Sequence, residues 1–118
     1  MKVLIVDDIF TNRLLLAEVL RSLDIEFDQA ENGREAIDAF EKINYDLILM
    51  DIEMPVMNGL ETTKYIREQM PEPKNRVTIV ALTAHNPQLF FDDFQDVGFD
   101  KLLTKPYSLD KLSTILGV

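Results

Sequence analysis

Asp7, Asp8, Asp51, Thr83 and Lys105 are the residues of this chain whose types and placement could share one chemistry. Each stands where a short apolar run ends: Val3 to Val6 before Asp7-Asp8, Leu47 to Met50 before Asp51, Val77 to Leu82 before Thr83, and Phe99 to Leu103 just before Lys105-Pro106. Hard carboxylate oxygens suit Mg²⁺, which takes a few such ligands and keeps several waters. Three carboxylates in one place repel, and a divalent cation together with the Lys105 ammonium would balance them. A carboxylate beside such a cation can attack a phosphoryl group. Thr83 and Lys105 would then donate to the phosphoryl oxygens.

These residues meet only if the four runs are parallel strands whose carboxyl ends lie along one sheet edge, where open α/β sheets bind their ligands. Apolar runs of strand length alternate with stretches of helical period, a β-α rhythm repeated about five times, which predicts a doubly wound α/β fold with both sheet faces covered. The first helix carries Leu15, Val19 and Leu23, and the less apolar strand Glu26 to Ala30 is expected at an edge. Asn32 and Glu35, then Asn58 and Glu61, have capping spacing, the former opening a helix with Ala36, Ile37, Phe40 and Ile43 toward the sheet. Asn86-Pro87 opens a fourth helix with Phe90, Phe94 and Val97, and Ser108 caps a fifth with Leu109, Leu112 and Ile115. Met70 to Arg76, with two prolines, reads as a loop.

A length of 118 residues fits one domain, expected over residues 1–118 with no output domain. The net charge of −9 repels nucleic acid and anionic lipid, so neither is an expected partner. With no cysteine there is neither a disulfide nor a thiolate metal site, and no segment reads as a signal peptide or membrane span. The expected setting is the cytoplasm.

The strings Val6-Asp7-Asp8, Met50-Asp51 with Met54-Pro55 and Asn58-Gly59, Leu82-Thr83-Ala84, Gly98, and Lys105-Pro106 resemble, in order and approximate spacing, the receiver domains of two-component response regulators. The resemblance covers the whole chain. It implies a flavodoxin-like sheet of five parallel strands, order 2-1-3-4-5, with five helices, and commonly a cis bond before Pro106. It implies that Asp51 accepts a phosphoryl group from the phosphohistidine of a histidine kinase or a histidine phosphotransfer protein. Asp8, Asp51 and the Glu53 carbonyl then ligate Mg²⁺, with Asp7 directly or through water, while Thr83, Ala84 and Lys105 hold the phosphoryl group. By the same resemblance the chain catalyses only its own phosphorylation and dephosphorylation and meets a downstream protein on the face of the fourth helix, fifth strand and fifth helix; a monomer is the default expectation, with weak or phosphorylation-dependent dimerisation as the alternative.

The string Leu82-Thr83-Ala84-His85 is closest in style to receivers of hybrid histidine kinases and phosphorelays. His85 and Glu53 occupy positions that flank the phosphoryl group in the family. Leu102 stands where many receivers carry Tyr or Phe, so the usual aromatic switch lacks its ring. Phe91 cannot fully share the face of Phe90 and Phe94, which leaves aromatic surface for a partner. An aspartyl-phosphate phosphatase is a competing reading, but Asp51-Ile52-Glu53 lacks the Asp-x-Asp pattern of that class. An inert scaffold is a third, and nucleotide binding lacks its Gly-rich Lys-Ser/Thr loop.

Overall fold

A computed structural model describes residues 1–84 and 96–117. His85, Asn86-Pro87 and the phenylalanines at 90, 91 and 94 lie outside the described residues, so the expectations placed on them do too. Five strands, β1 (Lys2–Val6), β2 (Glu26–Ala30), β3 (Leu47–Asp51), β4 (Thr78–Thr83) and β5 (Lys101–Thr104), form one parallel sheet in the order β2-β1-β3-β4-β5. The described residues carry four α-helices, α1 (Phe10–Ser22), α2 (Gly33–Lys42), α3 (Gly59–Gln69) and α4 (Leu109–Leu116), against the five expected along the whole chain. The expected loop at Met70 to Arg76 contains a short 3-10 turn at Lys74–Arg76.

Successive strand residues point to opposite faces, and here both faces are covered. Leu4, Val6, Ile48, Met50 and Ile79 join a core with Ala36, Ile37, Phe40 and Ile66 from α2 and α3. Val3, Ile5, Leu47, Leu49, Val80 and Leu82 join the other, with Leu16, Ala17 and Leu20 from α1 and Leu112 and Leu116 from α4. Two-sided burial explains why β1, β3 and β4 read as continuous apolar runs. β2 is at the edge, as its weaker apolar pattern predicts.

Several helix faces differ from expectation. α1 buries Arg13, Leu16, Ala17 and Leu20, spaced for one helical face, while Leu15 is 45% exposed and Val19 and Leu23 are half-buried. The triplet Leu14-Leu15-Leu16 leaves the phase ambiguous by hydropathy, and a polar contact of Arg13 settles it. In α2, Ala36, Ile37 and Phe40 are buried as expected, but Ile43 lies beyond the last turn and is exposed. In α4 the inward residues are Leu112 and Leu116, with Ile115 half-buried and Leu109 exposed in the first turn. Val97, expected on a helix, lies in a turn.

The caps form as their spacing predicts. Asn32, Asn58 and Ser108 accept at 2.9, 2.9 and 3.1 Å from the backbone N–H groups of Glu35, Glu61 and Lys111. At α3 the box is reciprocal, because Glu61 accepts in turn from the Asn58 N–H. Gly59 lets this helix start close against β3: a Cβ there would collide with the Asp51 carbonyl oxygen.

β5 begins at Lys101 rather than Phe99, and Arg67 shows why. Its guanidinium donates to the carbonyls of Gly98, Asn75 and Val77 and pairs with Asp100 at 2.8 Å. Asp100 also accepts from the Ile79 N–H. The segments entering β4 and β5 are thus held by side chain to backbone bonds before strand pairing starts.

Candidate functional site

β1 and β3 are neighbours in register, Val6 opposite Met50, so the residues that follow them emerge side by side. Asp7 is fully buried, Asp51 is 2% exposed, and Asp8 faces solvent. Carboxylate oxygens of all three lie within 4.8 Å of one another. This is the cluster that the strand endings predict.

The other strand ends converge on it. Lys105 Nζ lies 3.6 Å from Asp51 Oδ1. The Lys105 N–H donates to the Thr83 carbonyl at 2.8 Å, which ties the chain after β5 to the end of β4. Thr83 is buried at that end, with Ala84 exposed beside it. The Lys105-Pro106 bond is cis, as is Glu72-Pro73. Glu53 is exposed in the loop after β3, and its N–H donates to Asp51 Oδ1 at 3.2 Å.

The electrostatics follow from this crowding. Burial and the charge of Asp7, with a smaller contribution from Asp8, push the Asp51 carboxyl from 3.8 to about 6, against the lowering effects of the Glu53 N–H and Lys105. One cation does not offset the like charges. Asp7 Oδ1 accepts from the Ile9 N–H at 2.9 Å, whereas its buried Oδ2 has no hydrogen-bond partner. Three close carboxylates, one with a free buried oxygen, fit a hard divalent cation such as Mg²⁺ better than they fit the bare protein.

Two side chains of this region escape a reading by strand endings. Arg13 is buried, donates to the Asp7 carbonyl at 2.7 Å and approaches Glu31 at 3.6 Å. It fixes the turn that presents Asp7 and Asp8, and its signal in the sequence is that it shares helical phase with Leu16, Ala17 and Leu20. Tyr107, two residues past Lys105, packs on the α1 side of the sheet with its hydroxyl buried. Arg13→Ala should cost about 2 kcal/mol, the worth of a charge-assisted hydrogen bond, in urea unfolding, and should weaken Mg²⁺ binding measured by NMR titration. Unchanged stability would mean that Arg13 does not hold the turn.

Comparison with known proteins agrees with this geometry. The family model for the response regulator receiver domain matches residues 3–117. Two-component response regulator 24 of Arabidopsis thaliana is 39% identical, across 96% of this chain and 79% of its own length. Hybrid signal transduction histidine kinase A of Dictyostelium discoideum is also 39% identical, across 98% of this chain but only 6% of that protein. The receiver domain of sensor histidine kinase PA1611 from Pseudomonas aeruginosa, solved with a magnesium ion in its active site cleft, superposes with a TM-score of 0.87 at 35% identity, covering 98% of this chain and 93% of that one. A chain of the Saccharomyces cerevisiae complex between the phosphotransfer protein Ypd1 and the receiver domain of Ssk1 gives a TM-score of 0.87 at 36% identity, covering 98% and 85%. Its sequence motifs, sheet order, carboxylate cluster and these relatives together place the chain in the response regulator receiver family, as a receiver domain of two-component and phosphorelay signalling.

Proposed function

We propose that residues 1–118 form one receiver domain in which Asp51 accepts a phosphoryl group from a phosphohistidine in a Mg²⁺-dependent reaction. The observation that carries this is the convergence of Asp7, Asp8 and Asp51 within 4.8 Å, with Lys105 at 3.6 Å from Asp51. The Asp7, Asp8 and Asp51 carboxylates and the Glu53 carbonyl would hold Mg²⁺, which when bound neutralises charge on the cluster and on phosphoryl oxygens. Asp51 supplies the attacking oxygen: its bond to phosphorus forms as the donor's N–P bond breaks, and the imidazole leaves. Lys105 and Thr83 donate to the phosphoryl oxygens, with Ala84 lining the same place. The chain's own chemistry is confined to gaining and losing this group, and its output is a change of surface.

The donor must bring an imidazole to the carboxylates, and the surface around them suits a protein. Ile9 and Phe10, directly after Asp8, are 48% and 64% exposed; Leu14 follows one turn on, and Val56 in the loop after β3 is 83% exposed. Val56 is β-branched yet held at φ +71°, a strained position at the site's rim. We assign this rim to a histidine kinase or phosphotransfer protein. Phe10→Ala should slow transfer from such a donor about tenfold, the effect of losing one aromatic anchor, while labelling by a small phosphodonor stays unchanged. Equal loss with both donors would remove the rim from recognition.

The downstream partner takes the face of β5 and α4. Leu102 packs there with Ile52, Ala81 and Leu60 rather than presenting a ring, so the change on phosphorylation runs from Thr83 through β4 and β5 by repacking. The domain acts as a monomer in the cytoplasm; among the described residues no helix is long and apolar enough to cross a membrane. Incubating the chain with a phosphorylated histidine phosphotransfer protein tests the function. Label should pass to the chain with Mg²⁺ and stay on the donor with chelator, and transfer indifferent to chelator would contradict the proposed reaction.

A further inference from the structure

The turn after β2 is bonded to both loops that carry the acidic cluster. On one side the Asp7 N–H donates to the Ala30 carbonyl at 3.1 Å, and Arg13, which donates to the Asp7 carbonyl at 2.7 Å, also reaches Glu31 at 3.6 Å. On the other side the Gly33 N–H donates at 3.0 Å to the carbonyl of Met57, in the loop after β3. β1 lies between β2 and β3, so the turn reaches past one strand to make this second connection. The first N–H groups of a helix have no partner within it, and α2 spends the one at Gly33 on the Met57 carbonyl.

At Gly33 the two parts meet too closely for a side chain. A Cβ there would collide with Thr62 Oγ1 and stand 2.6 Å from the Met57 carbonyl oxygen. Thr62 is fully buried and its hydroxyl donates to the Asn58 carbonyl at 2.7 Å, so neither neighbour is a loose side-chain end. The contacted loop is tightly wound: the Met57 N–H donates to the Pro55 carbonyl at 2.8 Å around Val56, whose φ is +71°. A β-branched residue keeps that φ only where its surroundings over-determine it. At the other end of the same loop the Glu53 N–H donates to Asp51 Oδ1 at 3.2 Å. We propose that Gly33 is a positioning residue of the phosphoryl site: its lack of a side chain lets α2 clasp the loop after β3 and fix Asp51 and Glu53 against Asp7 and Asp8. The inference rests on the metal role proposed above, and one arm of its test needs no metal.

Gly33→Ala tests this beside Ile25→Ala, which opens the core on the α1 side just before β2 and so controls for lost stability. Without metal, the Glu53 amide resonance should move in Gly33→Ala and keep its wild-type position in Ile25→Ala. In a Mg²⁺ titration followed by backbone amides, Gly33→Ala should bind about tenfold more weakly, the effect of disturbing a support of the ligands. Ile25→Ala should bind as the wild type does. An unmoved Glu53 amide overturns the inference. Equal Mg²⁺ affinity in Gly33→Ala and wild type, or an equal loss in Ile25→Ala, overturns the positioning role. Should Gly33→Ala not fold, the wild type decides, because coupling between two sites is reciprocal. Mg²⁺ should then slow hydrogen exchange at the Gly33 N–H more than at the Ile43 N–H, at the far end of α2; equal slowing overturns the clasp. If the wild type shows no Mg²⁺ response at all, it is the metal reading that fails, and the metal-free Glu53 shift still judges Gly33.

Discussion

Asp51→Asn abolishes phosphoryl acceptance while leaving the fold intact and the metal-free protein more stable. Asparagine keeps the shape and the capacity to accept from the Glu53 N–H, but its amide is no nucleophile toward phosphorus. It also removes a buried charge that Asp7 and Asp8 disfavour and that Lys105 at 3.6 Å only partly offsets. The expected gain in metal-free stability near neutral pH is about 1–3 kcal/mol, the scale of a carboxyl raised from 3.8 to about 6. Label transfer from a phosphohistidine donor, followed by urea unfolding of both proteins, checks the two halves separately. Labelling of Asp51→Asn to the wild-type extent would show another carboxylate to be the acceptor. A loss of stability would show that the wild-type carboxylate is better satisfied than its surroundings imply.

The same carboxyl makes metal-free stability depend on pH with a defined sign. In the unfolded chain Asp51 ionises near its ordinary value of 3.8, whereas in the folded protein burial and Asp7 hold its proton until about 6. The folded state therefore binds more protons across that window, and stability falls as pH rises from about 4 through about 6, then levels. The contribution at stake is up to about 3 kcal/mol. Mg²⁺ acts in the opposite direction, since it binds the ionised cluster and adds about 1.4 kcal/mol at ten times its dissociation constant. Thermal unfolding with Mg²⁺ and with chelator should give nearly equal midpoints near pH 4 and a widening gap above pH 6. Subtracting the pH profile of Asp51→Asn isolates the Asp51 share from that of the other carboxylates. A Mg²⁺ effect equally large at pH 4 and pH 7 would place the cation away from this cluster.

Legibility from sequence divided along physical lines. β1, β3 and β4 are buried on both faces, so each writes a continuous apolar run, and the residue ending each run marks the sheet edge where the site lies. That is why Asp7, Asp8, Asp51 and Thr83 could be brought together from their strand endings, while Lys105 follows the shorter, partly exposed β5. Caps such as Asn58 with Glu61 are local, set by one helical turn, and were equally readable. Helix phase was not, because Leu14-Leu15-Leu16 offers apolar residues to every direction and the deciding contact, Arg13 to the Asp7 carbonyl, joins a side chain to backbone six residues away. Leu109 and Ile43 misled because apolar residues at helix ends have left the buried stripe. Tyr107 could not be read because a phenol beside a proline looks like any half-buried ring.

The most direct test of the account is intact-mass measurement of the wild-type chain after incubation with a small phosphodonor and Mg²⁺, with peptide mapping of the product. The expected result is a mass gain of one phosphoryl group per chain, located on Asp51 and lost when chelator replaces Mg²⁺. No gain, a gain on another residue, or multiple turnover of varied phosphomonoesters would contradict it.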